Sequence, residues 1–243
     1  MRSSAVRLFP AASRLAIGVW VLLAAAVPLL GGIVIKDRFT SEPLVLDQPD
    51  DYLLHNVRIT GVTDLAALTL TGRINSVTID QCAFSNVWSG VNGKATAAEA
   101  QGAVVGSLVV TESRFENAQH QLVCLKEGAF GTVSFTRCKF KTSESFLKRI
   151  YADDPWRTKP PTTEFANIDR LELIDNDYAN TILVIHPSVK MVVFRGDMAN
   201  VKLQSPGTTV IKLKAGEDPA MVGPDGTMLA AVEVDGVVEA VEP

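Results

Sequence analysis

Residues 151–159 concentrate the side chains best suited to hold or transform a polar ligand: Tyr151, Asp153, Asp154, Trp156, Arg157 and Lys159. Aromatic rings stack on sugar faces, and carboxylate, guanidinium and ammonium groups hydrogen-bond hydroxyls. Asp153 and Asp154, set against the cations Lys126 and Arg170, would form an acid–base set for cleaving or epimerising a sugar polymer. Tyr151, Trp156, Arg157 and Lys159 would then bind the chain. A structural role stays open for the same residues. The loop can be solvated with Trp156 packed back on the body, and Lys126, Glu127, Asp169 and Arg170 can be turn residues in surface ion pairs. His55, His120 and His186 are isolated. No His, Cys or carboxylate spacing suggests a metal site, and no cofactor is implied.

The elements that position these residues come from a repeat. Residues 77–86 read VTIDQCAFSN, 108–117 LVVTESRFEN, 133–142 VSFTRCKFKT, 171–180 LELIDNDYAN and 191–200 MVVFRGDMAN. Two apolar positions with period two place one strand face inward. Five residues after each start come Cys82, Ser113, Cys138, Asn176 and Gly196, at a tight bend that calls for a left-handed backbone. Phe84, Phe115, Phe140, Tyr178 and Met198 then point inward. Asn86, Asn117, Thr142, Asn180 and Asn200 follow as a polar ladder bonded to itself and to turn backbone. The starts lie 31, 25, 38 and 20 residues apart. Variable spacing fits a solenoid whose coils keep their strands and vary one connection.

Over residues 55–213 this motif resembles the repeat of right-handed parallel β-helices of the pectate-lyase-like superfamily. The resemblance implies an all-β fold, and a substrate groove along one parallel sheet walled by long loops. The family pattern spans lyases, hydrolases, epimerases, adhesins and inert structural proteins, so it implies architecture more than reaction. The long connections here are 87–102, expected as a small-residue loop, and 143–164, whose first part suits a short helix and whose Pro155, Pro160 and Pro161 forbid a long one. Third strands are expected at 67–70, 103–105, 121–125, 165–168 and 182–185. These segments carry almost no outward carboxylate, Lys or Arg.

Coil stacking also decides the cysteines. Cys82 and Cys138 share a repeat position, with Ser113 in the coil between. Two coils span about 9.6 Å, beyond the roughly 7 Å a disulfide tolerates. Cys82, Cys124 and Cys138 are therefore expected as buried thiols.

The formal net charge is −4. The three arginines of residues 1–35 leave 20 of the 23 basic side chains against all 27 acidic ones, a net of −7 for the remainder. An acidic body argues against nucleic acid, and against acidic polysaccharide unless a local basic groove exists. Residues 1–14 read as a cytoplasmic leader. Residues 15–35 form a 21-residue run without charge, long enough to span a bilayer. We expect an uncleaved transmembrane signal anchor rather than a cleaved signal, with Arg2, Arg7 and Arg14 on the cytoplasmic side and the body exported. Residues 36–52 read as a linker, 53–213 as the β-helix with 53–65 covering its open end, and 214–243 as an acidic tail with a hairpin at Asp235-Gly236.

These features favour a non-catalytic scaffold or binding module at the inner membrane of a bacterial envelope, its body in the periplasm, with a protein or glycan partner. The alternative is a polysaccharide-active lyase, hydrolase or epimerase between the two long loops. The hairpin and solenoid ends also allow homo-oligomers.

Overall fold

A computed structural model describes residues 32–93, 102–154, 156–157, 159–197, 201–203, 208–223 and 226–227. The described chain is all-β apart from one ten-residue α-helix and one short 3-10 turn, and every strand pairing among the described residues is parallel. The architecture is consistent with a parallel β-helix-like solenoid. Successive coils lay strands onto three faces. The first face is an eight-stranded sheet: Ile33–Lys36, Asp51–His55, Arg73–Asp80, Ala103–Thr111, Gly128–Thr136, Ile168–Ile174, Met191–Arg195 and Thr209–Lys212. We number coils 1 to 8 by these strands. The second face holds Phe39–Thr40, Arg58–Thr60, the starts of Ala83–Gly93 and Arg114–Leu125, Lys139–Lys141 and Asp177–Ala179. The third holds Leu44–Leu46, Ala66–Leu70, residues 89–93 and 121–125, Thr162–Phe165, Ile182–Ile185 and Val201–Leu203.

Alternation fills the interior. Val77, Leu108, Val133, Leu171 and Val192 form one inward column on the first face, all fully buried. On the second face Phe84, Phe115, Phe140 and Tyr178 stack in register, with ring centroids 5.3, 5.1 and 5.2 Å apart and planes within 16°. Rings repeated at the strand spacing must stack, because parallel strands bring the same side-chain position into register.

The bend between first and second faces is left-handed, one residue earlier than the repeat suggests. Asp37, Asn56, Gln81, Glu112, Arg137 and Asp175 align there with φ between 48° and 53°, and Gly196 continues the column. Asp37 through Asp175 in this column each donate a backbone N–H to a first-face carbonyl of the next coil at 2.8–3.0 Å, which offsets the strain of a non-glycine left-handed residue. The next position serves the neighbouring coil with its side chain. The Val57 amide donates to Cys82 Sγ, the Cys82 amide to Ser113 Oγ and the Cys138 amide to Asn176 Oδ1. Cys82, Cys124 and Cys138 are buried free thiols.

The second bend also repeats. Gly61, Asn86, Asn117 and Asn180 have positive φ. Asn117 accepts from the Ser143 amide and Asn180 donates to the Thr142 carbonyl, so this ladder runs from side chain to neighbouring backbone. Thr142 lacks the left-handed conformation. Directly after it Ser143 caps a helix, α1 (Glu144–Asp153), which buries Phe146 and Ile150.

Several boundaries differ from the sequence expectation. The first described strand begins at Ile33, so residues 33–35 of the expected anchor and residues 36–50 of the expected linker form coil 1, and residues 51–65 belong to coil 2. Ile33 and Ile35 pack against the core as strand residues, because alternation suits a half-buried edge. The fifth repeat is shifted by one: Leu171 pairs with Val192, not Met191. Residues 103–105 belong to the first face, and coil 3 places its third strand at 89–93, inside the expected loop. In coil 5 the third strand is Thr162–Phe165 rather than 165–168. Residues 15–31, Met198, Asn200 and the Asp235-Gly236 hairpin lie outside the described residues. No helix among the described residues is long and apolar enough to cross a membrane.

Past coil 8 the chain folds back over the outer side of the first face. Val222 is buried with Ile174, Met191, Val193, Ile211 and Leu213. Arg170 donates from Nη1 to the Val222 carbonyl and from Nη2 to the Pro219 carbonyl, both at 2.7 Å, and Arg195 bonds the Glu217 carbonyl.

Candidate functional site

The third face carries the chemistry-bearing set. The α1 insertion enters it in coil 5, and residues 94–101 follow its coil 3 strand. Register aligns Thr69, Asn92, Cys124, Glu164, Val184 and Lys202 on successive coils, between the inward positions.

Glu164 is the centre. Its Oε2 lies 2.5 Å from Lys126 Nζ, at the end of the coil 4 strand, and 3.7 Å from His186 Nε2, at the end of the coil 6 strand. Thr162 Oγ1 donates to Glu164 Oε1 at 2.6 Å. One carboxylate is thus bracketed by an ammonium and an imidazole from three consecutive coils. Register sets small, buried Ala166 between Lys126 and His186 along the stack. Burial alone would raise the Glu164 pKa, but the Lys126 and Thr162 hydrogen bonds and the Lys126 charge outweigh it and hold it below the ordinary value. The same hydrogen bond holds the Lys126 pKa above its ordinary value. His186 Nε2 is buried and makes no hydrogen bond among the described residues. Burial pushes the adjacent Cys124 thiol up. Among the described residues no three His, Cys, Asp or Glu side chains form a metal-binding group.

A second cluster lies where the third face begins. Trp88 and His120 occupy adjacent coils, with ring centroids 4.0 Å apart. Burial lowers the His120 pKa, and the nearby charge of Arg157 adds to that while Asp154 opposes it. Asp154 and Arg157, in the turn after α1, thus lie within charge–charge range of His120. Trp156 in that turn is 92% exposed and does not pack back on the coil. Its amide donates to Asp154 Oδ1, and Arg157 Nε donates to the Lys159 carbonyl at 3.4 Å. Leu65 precedes Trp88 at the same corner and is 51% exposed.

The sequence candidates therefore separate. Lys126 is on the third face but pairs with Glu164 rather than with Asp153 or Asp154. Arg170 is in a first-face strand, bound to Glu172 Oε1 at 2.7 Å and to the folded-back segment, so it cannot line the same groove. Asp153 is exposed in the last turn of α1 and makes no ion pair among the described residues. Tyr151 is half-buried on α1, and Lys159 is exposed beyond the turn. Trp156 is hydrogen-bonded to Asp154, and the charges of Asp154 and Arg157 act on His120. Sequence reasoning missed Glu164 and His186 as a pair because the coil 5 strand was placed too late. The alternation Thr163, Glu164, Phe165 after Pro161 is the signal that would have found the outward carboxylate.

Comparison with family models, with curated proteins and with solved structures returned no match for this chain.

Proposed function

We propose that this protein is a membrane-anchored, exported β-helix of the right-handed, pectate-lyase-like kind, acting as a non-catalytic module that binds glycan in a bacterial envelope. The right hand is supported by the strong preference of parallel crossover connections and by coil lengths that vary too much for a short strict repeat. The charge-free residues 15–32 support the anchor, and three flanking arginines support the exported orientation.

The observation that carries the binding reading is Trp156, 92% exposed in a turn with Asp154 and Arg157, whose charges act on His120 of the Trp88–His120 pair. An indole held in water serves as a stacking platform, and the polar neighbours supply hydrogen bonds to hydroxyls. Glu164 supports a non-catalytic role. Ion-paired with Lys126 and held below the ordinary carboxylate range, it is poorly suited to donate a proton near neutral pH. The test is binding of the full chain in detergent to neutral and uronate polysaccharides by calorimetry, with Trp156→Ala and Trp88→Ala. A loss of affinity of about tenfold in Trp156→Ala, without release of new reducing or unsaturated ends by wild type, is expected for stacking worth about 1.4 kcal/mol. Unchanged affinity would exclude this site. Binding to an envelope protein alone would replace glycan as the ligand.

One observation favours the enzyme as a second reading. Lys126, Glu164 and His186 cluster on three consecutive coils of a face flanked by insertions, as acid–base chemistry on a polymer requires. In that reading Glu164 and His186 take the roles first given to Asp153, Asp154 and Arg170. Product formation by wild type, abolished in Glu164→Gln and His186→Ala with both variants folded, would establish it.

A further inference from the structure

We propose that the second face lies against the anionic surface of the membrane that holds the anchor, with coil 1 at headgroup depth. This rests on the anchored reading above.

Chain length is the first observation. Coil 1 begins at Ile33, so only residues 15–32 remain to span the bilayer. Eighteen residues in a helix rise about 27 Å, slightly less than the roughly 30 Å hydrocarbon core. No linker separates anchor from solenoid, because residues 36–50 are coil 1. The first strand therefore emerges at the bilayer surface.

Side chains give the second observation. Coil 1 exposes Phe39 by 73% and Val34 by 48%, with Lys36 and Arg38 between them. Apolar residues beside cations suit the headgroup boundary, where rings enter the acyl region and long cations reach phosphate.

The third observation is the column that continues from Phe39. Register aligns Phe39, Arg58, Ala83, Arg114, Lys139 and Asp177 along the outer side of the second face. Lys141 joins Arg58, Arg114 and Lys139 on this face, and all four are exposed. None of the four makes an ion pair among the described residues, so each guanidinium or ammonium is available to a ligand outside the chain. Glu116 and Asp177 are the acidic residues of the second-face strands. A net positive face on a body of net −7 has its complement in anionic lipid, and its apolar end adjoins the anchor. This orientation leaves the third face, with Trp156 and Glu164, turned to the aqueous side.

The test places a nitroxide label at Phe39→Cys, Ala83→Cys or Thr69→Cys, the last on the outer side of the third face. The native cysteines are at most 7% exposed. The full chain is reconstituted in vesicles of phosphatidylglycerol and phosphatidylcholine, flotation is scored, and each label's accessibility to a nickel chelate and to oxygen is measured. Positions 39 and 83 are expected to lose nickel access several-fold relative to detergent, while position 69 does not. Pure phosphatidylcholine, or Arg114→Glu with Lys139→Glu, should restore access at 83 but not at 39. Circular dichroism checks that each variant is folded. Equal access at 83 and 69 in floated, anionic vesicles overturns the proposal while leaving the anchor intact. Failure to float overturns the anchor and the proposal together. Shielding of position 83 by soluble polyuronate but not by lipid makes acidic glycan the occupant and also overturns it.

Discussion

Removal of one ring from the second-face stack should cost far more than a typical core substitution. Phe115 is fully buried in coil 4, lies between Phe84 and Phe140 at 5.3 and 5.1 Å, and meets Phe135 edge-on at 6.0 Å. Phe→Ala in a packed core costs roughly 3–5 kcal/mol. Each aromatic pair adds about 0.5–1.5 kcal/mol beyond burial. With parallel strands fixed on both sides, coil 4 cannot collapse into the gap, so Phe115→Ala should fall near the upper end, about 4–5 kcal/mol. Guanidinium unfolding of the full chain in mild detergent, followed by circular dichroism, measures it. Phe39→Ala, exposed on coil 1, should change stability by no more than about 0.5 kcal/mol. A double-mutant cycle between Phe115 and Phe140 should return a coupling of about 0.5–1.5 kcal/mol, whereas Phe84 and Phe140, two coils apart, should be additive within about 0.5 kcal/mol. A cost below about 2 kcal/mol for Phe115→Ala, or equal couplings in both cycles, would refute the stack as a stabilising unit.

Three further outcomes follow from the same geometry. Gln81→Gly relieves a side chain held at φ 52° and should be neutral to stabilising by up to about 1 kcal/mol, whereas glycine elsewhere in these strands should destabilise; thermal unfolding decides the sign. The Lys126–Glu164 pair makes stability pH-dependent at both extremes. The lowered Glu164 pKa gives a contribution complete above the ordinary carboxylate range and lost as pH falls through its folded value, and the raised Lys126 pKa gives one complete below the ordinary lysine range and lost as pH rises through its folded value. Glu164→Gln should flatten the acid limb and cost about 1–2 kcal/mol at neutral pH, a figure reduced because Lys126 is partly exposed. Burial pushes the Cys138 thiol up to about 12 and the Cys82 thiol up to about 11, so neither should react with a thiol reagent at pH 8 until the chain unfolds.

The inward columns and the Phe–Tyr stack were legible in the sequence because period-two alternation and repeated aromatics report directly on parallel stacking. The left-handed bend was expected, but the residue that adopts it was not legible. Gln81, Glu112 and Arg137 carry no propensity for it, and the conformation is imposed by backbone bonds to the next coil, which are non-local. Residues 89–93 read as a loop because Ser89, Gly90 and Gly93 are weak strand formers. Their smallness is a packing requirement: a Cβ at Gly90 would collide with the Leu122 carbonyl, and one at Gly93 would lie 2.6 Å from the Phe130 ring. The start of the solenoid was hidden because Ile33 and Ile35 satisfy an apolar run and a strand edge equally well. The proposed site was half visible. The turn holding Asp154, Trp156 and Arg157 stood out by composition, but Trp88 and His120 meet only through register between coils 3 and 4.

The bonds from Arg170 to the Pro219 and Val222 carbonyls also decide how the molecule would respond to tension. A pull on the C-terminal tail would not first peel Thr209–Lys212 from the stack one bond at a time. It would load the coil 6 strand through the guanidinium, with Val222 seated among Ile174, Met191 and Val193, and two later coils lying inside the clamp. The last coils are thereby shielded from fraying, and a tethered load would be borne in shear by the interior of the solenoid.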